Sequence, residues 1–286
     1  MTFAERLAER VTHLDTCLCI GIDPWVDRLP GRGTLGANPS HADLANLALN
    51  FGRSVVDAAA GQVAAVKPQF AFFEALGPPG MLALAQVCTV AREAGLLVIG
   101  DAKRGDIGST AGAYAAATLA PDAPFPCDAL TVSPFLGPDS LAPFVDAATR
   151  WNRGLFVLLR TSNAGSARWQ APVRDDLASW IESTNCGLGG EFGPVGAVVG
   201  ATNGDDMVAL RAQMPHTWFL VPGFGAQGAS AAGSLAATRP DGLGALVNSA
   251  RGATFPATFD PDYDRAPTGW IRNGIAQARA ELRAAR

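Results

Sequence analysis

The chain has 286 residues, 48% of them apolar and 17% charged, which is enough for a large core and excludes intrinsic disorder. A net charge of −4 argues against a nucleic-acid surface, and residues 1–13 lack the basic start and continuous apolar stretch of a secretory signal. No apolar run reaches the ~18 uncharged residues of a membrane span, and five scattered cysteines (Cys17, Cys19, Cys88, Cys127, Cys186) without a C-x-x-C pair fit a reduced, cytoplasmic interior.

A helix is predicted over 2–13. Short apolar runs then alternate with longer Ala/Leu-rich stretches of helical period. Strands are expected at 17–22, 63–67, 96–100, 129–133, 154–159, 195–200, 217–221 and 244–248. Helices are expected near 41–59, 80–94, 109–119, 138–150, 173–184, 204–213, 227–237 and 269–285. Eight continuously apolar strands, each followed by a helix, spell an α/β fold of the (β/α)8 TIM-barrel type, one domain over 1–286. An open doubly wound sheet is the alternative. Two connections are long: 24–40 after strand one and 253–268 after strand eight. In a barrel both belong to the C-terminal rim, where active sites form.

The choice of basic residues is uneven. Twenty of the 22 are Arg, and only Lys67 and Lys103 are Lys. A GC-rich gene accounts for the Arg excess and makes the two exceptions informative. Arg supplies charge but does not give up its proton, whereas a lysine ammonium does. Strand two ends at Val66-Lys67-Pro68, and strand three runs into Asp101-Ala102-Lys103-Arg104-Gly105-Asp106. Strand one ends at Ile22-Asp23-Pro24. Asp101 and Lys103, two apart in extended chain, are expected to point to one side, into the barrel mouth. Lys67, Asp101, Lys103 and Asp106 are expected to share one charge network. It is either an ion-pair closure of the barrel top or a catalytic array.

Three more strand ends carry polar groups. Arg160-Thr161-Ser162-Asn163 after strand five reads the polar edge of a base or sugar, or is a turn cluster. Pro222-Gly223-Phe224-Gly225-Ala226-Gln227-Gly228 after strand seven and Asn248-Ser249-Ala250-Arg251-Gly252 after strand eight suit a phosphate, which barrels commonly bind there. None of His13, His41 and His216 falls at a strand C-terminus, so no His-ligated metal is expected, though a carboxylate Mg²⁺ site stays open. Neither a nucleophile elbow nor a P-loop is present.

The run Asp101-Ala102-Lys103-Arg104-Gly105-Asp106-Ile107 resembles the Asp-x-Lys-x-x-Asp signature of the orotidine 5′-phosphate decarboxylase family. Asp23, Lys67, Thr161-Ser162, Pro222, Gln227 and Arg251 follow in family order over most of the chain. The Asn-Ser-Ala-Arg-Gly end of strand eight and the chain length are similar to the longer bacterial branch. The short motif also occurs in related Mg²⁺-using barrels that act on sugar phosphates.

The resemblance implies decarboxylation of orotidine 5′-phosphate to uridine 5′-phosphate (UMP) and CO2 without metal or cofactor, the last step of de novo pyrimidine nucleotide synthesis. It makes Lys103 the proton donor and puts Asp101 beside the substrate carboxylate. Lys67 organises the array and reaches the ribose, and Asp23 holds a ribose hydroxyl. Asp106 and Thr110 are supplied by the neighbouring subunit of a homodimer. Thr161 or Ser162 binds the pyrimidine. Pro222 lines the site, and Gln227, Arg251 and the Ala250 N–H hold the phosphate. The segment 223–228 is expected to close over the ligand, and the two long loops receive no role. Alternatives are a Mg²⁺-dependent sugar-phosphate lyase, a Schiff-base aldolase using Lys67 or Lys103, and a nucleotide-binding protein without turnover.

Overall fold

Eight apolar runs form the strands β1 (Leu18–Ile22), β2 (Ala65–Pro68), β3 (Leu97–Arg104), β4 (Ala129–Val132), β5 (Gly154–Arg160), β6 (Val195–Val199), β7 (Phe219–Pro222) and β8 (Ala245–Ser249) in the computed structural model, which describes residues 1–225 and 228–286. Each strand pairs in parallel with the next, and β8 returns to β1 through Leu18↔Val247, so the sheet is a closed barrel and not an open one. β1, β2, β4, β6 and β8 are buried along their whole length, which explains why they are apolar apart from Lys67, Thr131, Asn248 and Ser249. Each Val, Leu, Ile or Phe fully buried in this way contributes ~1.5–3 kcal/mol relative to exposure.

The outer ring consists of α2 (His41–Ala59), α4 (Gly77–Glu93), α5 (Gly108–Leu119), α6 (Pro138–Arg150), α8 (Arg174–Leu188), α9 (Gly204–Gln213), α10 (Ala231–Leu235) and α13 (Pro267–Ala284). Among the described residues no helix is long and apolar enough to cross a membrane. α1 (Phe3–Leu14) starts with a capping box between Thr2 and Glu5 and closes the N-terminal end of the barrel. Its Phe3 meets Phe156 edge-on at 6.1 Å, and its Arg10 donates to the carbonyls of Val63, Ala64 and Gly95, just ahead of β2 and β3.

The structure adds short helices that a periodicity argument cannot register, because one turn carries no repeat. These are α3 (Phe70–Glu74), α7 (Ser166–Gln170), α11 (Arg251–Thr254) and α12 (Pro261–Arg265). Pro78 and Pro79 sit in the first turn of α4, where the missing N–H costs nothing, so that helix starts earlier than predicted. The expected helix 227–237 is described only as α10, and Gln227 lies outside the described residues.

The two long rim connections pack on each other. The Gly31 N–H donates to Asp264 Oδ1 at 2.7 Å and Arg28 donates to the Pro256 carbonyl, while Phe255 anchors the second connection by stacking on Phe51 of α2 with centroids 4.8 Å apart. Tyr263 closes this unit by donating to the Thr254 carbonyl at 2.9 Å. The rim beside β1 and β8 is therefore a packed wall.

Candidate active site

The C-terminal strand ends surround a cleft of about 500 Å³ whose walls include Asp23, Lys67, Asp101, Lys103, Ser162 and Arg251. Lys67 at the end of β2 and Asp101 on β3 are both buried, and Lys67 Nζ donates to Asp101 Oδ2 at 2.5 Å. Lys103 Nζ donates to the other oxygen, Oδ1. Gln69 Nε2 adds a bond to Oδ2 at 2.8 Å, and the Thr131 hydroxyl adds one to Oδ1 at 3.2 Å. Asp101 thus takes four donors, two on each oxygen. A divalent cation at this point would have to displace them.

The expectation that Asp101 and Lys103 meet is correct, but its geometric reason is not. β3 is not plainly extended here. Its pairing with β4 jumps from Gly100↔Leu130 to Arg104↔Val132, so three residues of β3 stand opposite one of β4. Lys103 has φ +50°, in the left-handed region that a non-glycine residue occupies at a cost of ~1–3 kcal/mol. The bulge turns the lysine back onto the carboxylate two residues before it.

Charge is tightly balanced in the cleft. Burial alone would raise the Asp101 carboxyl, but the Lys67 and Lys103 ammoniums outweigh it and hold it well below the usual carboxylate range. Burial likewise opposes the Lys67 charge, and the carboxylates of Asp101 and Asp23 overcome it, raising Lys67 above an ordinary lysine. Asp23 behaves differently. Burial raises its pKa, with Lys67 opposing, and its Oδ1 is a buried acceptor without a partner among the described residues. Beneath them burial pushes the Cys19 thiol up to about 12, so it stays protonated.

Asp106 does not join this network. Among the described residues its carboxylate accepts only the N–H of Ile107, at 2.8 Å, and Thr110 is exposed in the first turn of α5. The array within one chain therefore has three members, because the turn after β3 carries Asp106 away from the cleft.

On the opposite wall, the Thr161 hydroxyl is engaged by Asn163 and by Gln170 of α7 at 2.6 and 2.9 Å. The Ser162 hydroxyl has no partner among the described residues, and Gly200 of the β6 loop lets Ser162 lie close: a Cβ there would come within 2.8 Å of Ser162. Pro222 ends β7 opposite Asn248 of β8. Ala250 follows β8 and packs against Gly21, where a Cβ would sit 2.5 Å from the Ala250 Cβ. That close approach brings β1 with Asp23 next to the β8 loop. Arg251 makes no hydrogen bond among the described residues, and its guanidinium rests over the Trp25 ring at 5.9 Å.

Sequence reasoning passed over Gln69, Thr131, Gln170 and Trp25, all part of the cleft or its support, and took Asn248 only as part of the strand-eight segment. Gln69 lies two residues past Lys67 and donates to the same carboxylate oxygen, so the alternation of an extended chain could have found it. Asn248 is a polar residue inside an apolar strand, and its Oδ1 is buried without a partner among the described residues. Trp25 and Gln170 reach the site only through tertiary packing.

Two polar features lie at the other end of the barrel. A hollow of about 550 Å³ lies over Asp128, whose carboxylate is already taken by Arg6, Arg153 and the Val98 N–H. A group of potential metal ligands, Glu182, Cys186 and His216, has its ligand atoms within 4.8 Å of one another. Glu182 there already accepts the His216 N–H, its Nδ1 and the Thr217 hydroxyl. Neither feature adjoins the lysine cleft.

Comparison with known proteins agrees with this geometry. Residues 42–252 match the sequence profile of the "Orotidine 5'-phosphate decarboxylase / HUMPS family". The orotidine 5′-phosphate decarboxylase of Rhodopirellula baltica is 45% identical over 269 residues, covering 89% of each chain. That of Deinococcus radiodurans is 41% identical over 288 residues, covering 99% of this chain and 98% of its own. The structure of Leishmania donovani OMP decarboxylase superposes with a TM-score of 0.77 at 33% identity, over 100% of this chain and 99% of that one.

Proposed function

The chain belongs to the orotidine 5′-phosphate decarboxylase / HUMPS family, and from that premise we propose that it converts orotidine 5′-phosphate to uridine 5′-phosphate and CO2 with its own side chains alone. The observation that carries this is the Lys67–Asp101–Lys103 array on the floor of the cleft.

Cleavage of the bond between the ring carbon and the carboxylate leaves an electron pair on that carbon, with no adjacent sink. A fixed ammonium stabilises the developing charge and then supplies the proton that forms the new C–H bond. The two lysines are suited to different parts. The Lys67 side chain is 6% exposed and locked between carboxylates, whereas that of Lys103 is 47% exposed and open to the cleft. Lys103 is the proton donor, recharged from solvent after turnover. Lys67 keeps Asp101 ionised, and Asp101 in turn aims Lys103. A carboxylate already saturated by four donors favours this use over cation binding.

The unpartnered acceptors Asp23 Oδ1 and Asn248 Oδ1 suit sugar hydroxyls, and the uncommitted Ser162 hydroxyl suits the pyrimidine edge better than Thr161. Arg251, at the start of α11, suits the phosphate together with the Ala250 N–H. The part of Gln227 in that contact rests on the resemblance.

Asp106 and Thr110 act across a homodimer. What supports this is that neither lines the cleft of its own chain, and that Ile107 after β3 and Phe135 after β4 are 59% and 82% exposed. Such apolar exposure on the active-site rim suits a second copy. Four of the five cysteines are buried free thiols, in keeping with a cytoplasmic enzyme.

The test is turnover of orotidine 5′-phosphate in excess EDTA, followed by the ultraviolet change as orotate becomes uracil. Turnover in chelator is expected. Turnover only after Mg²⁺ is restored would replace this mechanism with that of a metal-dependent lyase.

A further inference from the structure

The bulge that aims Lys103 leaves backbone groups without ladder partners. Between Gly100↔Leu130 and Arg104↔Val132, the residues Asp101, Ala102 and Lys103 face the single residue Thr131. The Ala102 and Lys103 N–H groups both point at its side chain. They donate to Thr131 Oγ1 at 3.0 and 2.9 Å. The same hydroxyl has its proton directed between Asp101 Oδ1 at 3.2 Å and the Gly100 carbonyl at 3.4 Å. A threonine hydroxyl has two lone pairs and one proton, and all are used here. Thr131 is buried, so water is a poor substitute.

We propose that Thr131 is the positioning residue of the lysine array: its hydroxyl replaces the missing strand partner of Ala102 and Lys103, holds Lys103 in its left-handed conformation, and steadies the Asp101 oxygen that receives the Lys103 ammonium. The Lys103 backbone is otherwise unfavourable for a side chain with a Cβ, and such a conformation persists only where surrounding bonds over-determine it. Thr131 lies on β4, a strand that supplies no charged group to the cleft. Its contribution is the angle at which the neighbouring strand presents its lysine.

The experiment compares Thr131→Val, which keeps shape and β-branching but removes both acceptor and donor, with Thr131→Ser, which keeps the hydroxyl. The kinetic arm rests on the decarboxylase function. Displacing a reacting group by about 1 Å costs ~10²-fold. Thr131→Val is therefore expected to lose about that factor in kcat with little change in KM. Thr131→Ser is expected to keep most of the wild-type rate. A wild-type kcat in Thr131→Val would overturn the proposal. So would an equal loss in Thr131→Ser, because that would trace the effect to side-chain volume.

A structural arm does not depend on the substrate assignment. In a crystal structure of unliganded Thr131→Val, Lys103 is expected to leave the positive-φ region and its ammonium to leave Asp101 Oδ1. An unchanged Lys103 would overturn the proposal even if the wild-type enzyme decarboxylates. A displaced Lys103 would sustain it even if orotidine 5′-phosphate were not the substrate.

Discussion

The Lys67 ammonium lies 2.5 Å from Asp101 Oδ2, with both side chains buried. Each charge is tolerable in the interior only because the other is present. Asp101→Asn leaves Lys67 facing Asp23 alone and releases Lys103 into the cleft. Removing one partner of a buried pair costs about 3–5 kcal/mol. Urea denaturation at neutral pH is expected to show a loss of that order, with turnover falling as well. Equal denaturation midpoints for the two proteins would mean that Lys67 is neutralised elsewhere.

The ionisation of Asp23 predicts a conflict between stability and binding. Its folded-state pKa is raised, chiefly by burial. Stability is therefore complete below the ordinary carboxylate range and is lost as pH rises through the folded value, since the folded chain holds that proton more tightly. At neutral pH the charge is carried at a cost. Asp23→Asn is expected to raise the melting temperature at pH 7, to leave it unchanged near pH 3, and to weaken UMP binding. A lower melting temperature at pH 7 would show that the attraction of Asp23 to Lys67 outweighs burial.

Lys103→Ala removes a half-exposed side chain and no core contact, so the fold is expected to survive while nearly all turnover is lost. Lys103→Arg is the sharper test. It keeps a positive charge at the same point but not a proton that can be given up. Both variants are expected to be inactive while retaining UMP binding, as read by calorimetry. Substantial turnover in Lys103→Arg would reduce the residue to an electrostatic part and require another donor.

The barrel was legible because its strands, covered on both faces, are written as plain apolar runs, and each rim charge falls where a run stops. The pairing of Asp101 with Lys103 was legible for a partly wrong reason. The spacing of two suggested a shared face, whereas the contact comes from a bulge and a left-handed Lys103. Nothing local encodes that bulge, because it depends on the register of β4 and on a hydroxyl 28 residues further along. Proximity in sequence suggested that Asp106 joins the array of its own chain, and the turn after β3 carries it away from that cleft. The loops 24–40 and 253–268 looked featureless for a related reason. Their order comes from each other, through Gly31–Asp264 and Arg28–Pro256.

The exposed Ile107 tests the proposed dimer. It follows Asp106, is 59% exposed and stands on the rim with Phe135. A glutamate there would carry a charge into the proposed interface, which is costly without a partner. Ile107→Glu is expected to shift the protein from dimer to monomer in analytical ultracentrifugation and to lose activity with it. Wild-type sedimentation as a monomer with full turnover at the same concentration would remove Asp106 and Thr110 from the active site.

The stack of Arg251 on Trp25 gives the long β1 loop a part in binding. Arg251 has no hydrogen bond among the described residues, and Arg28 lies on the same indole, 5.7 Å from its centroid. Arg28 is in turn fixed against Phe255 and the Pro256 carbonyl of the other long loop. The two loops thus place an indole under the Arg251 guanidinium at the β8 end of the cleft. Arg251→Ala removes the charge itself and is expected to weaken UMP binding by about 2 kcal/mol or more, as for a desolvated bidentate contact. Trp25→Leu leaves the charge and removes its rest, so a smaller loss of ~0.5–1 kcal/mol is expected, the worth of an exposed cation–π contact. Uridine, which lacks the phosphate, separates the two causes. Its affinity is expected to be the same in both variants and the wild type. If uridine binding fell as far as UMP binding, the wall would be shaping the whole cleft and not the phosphate end alone.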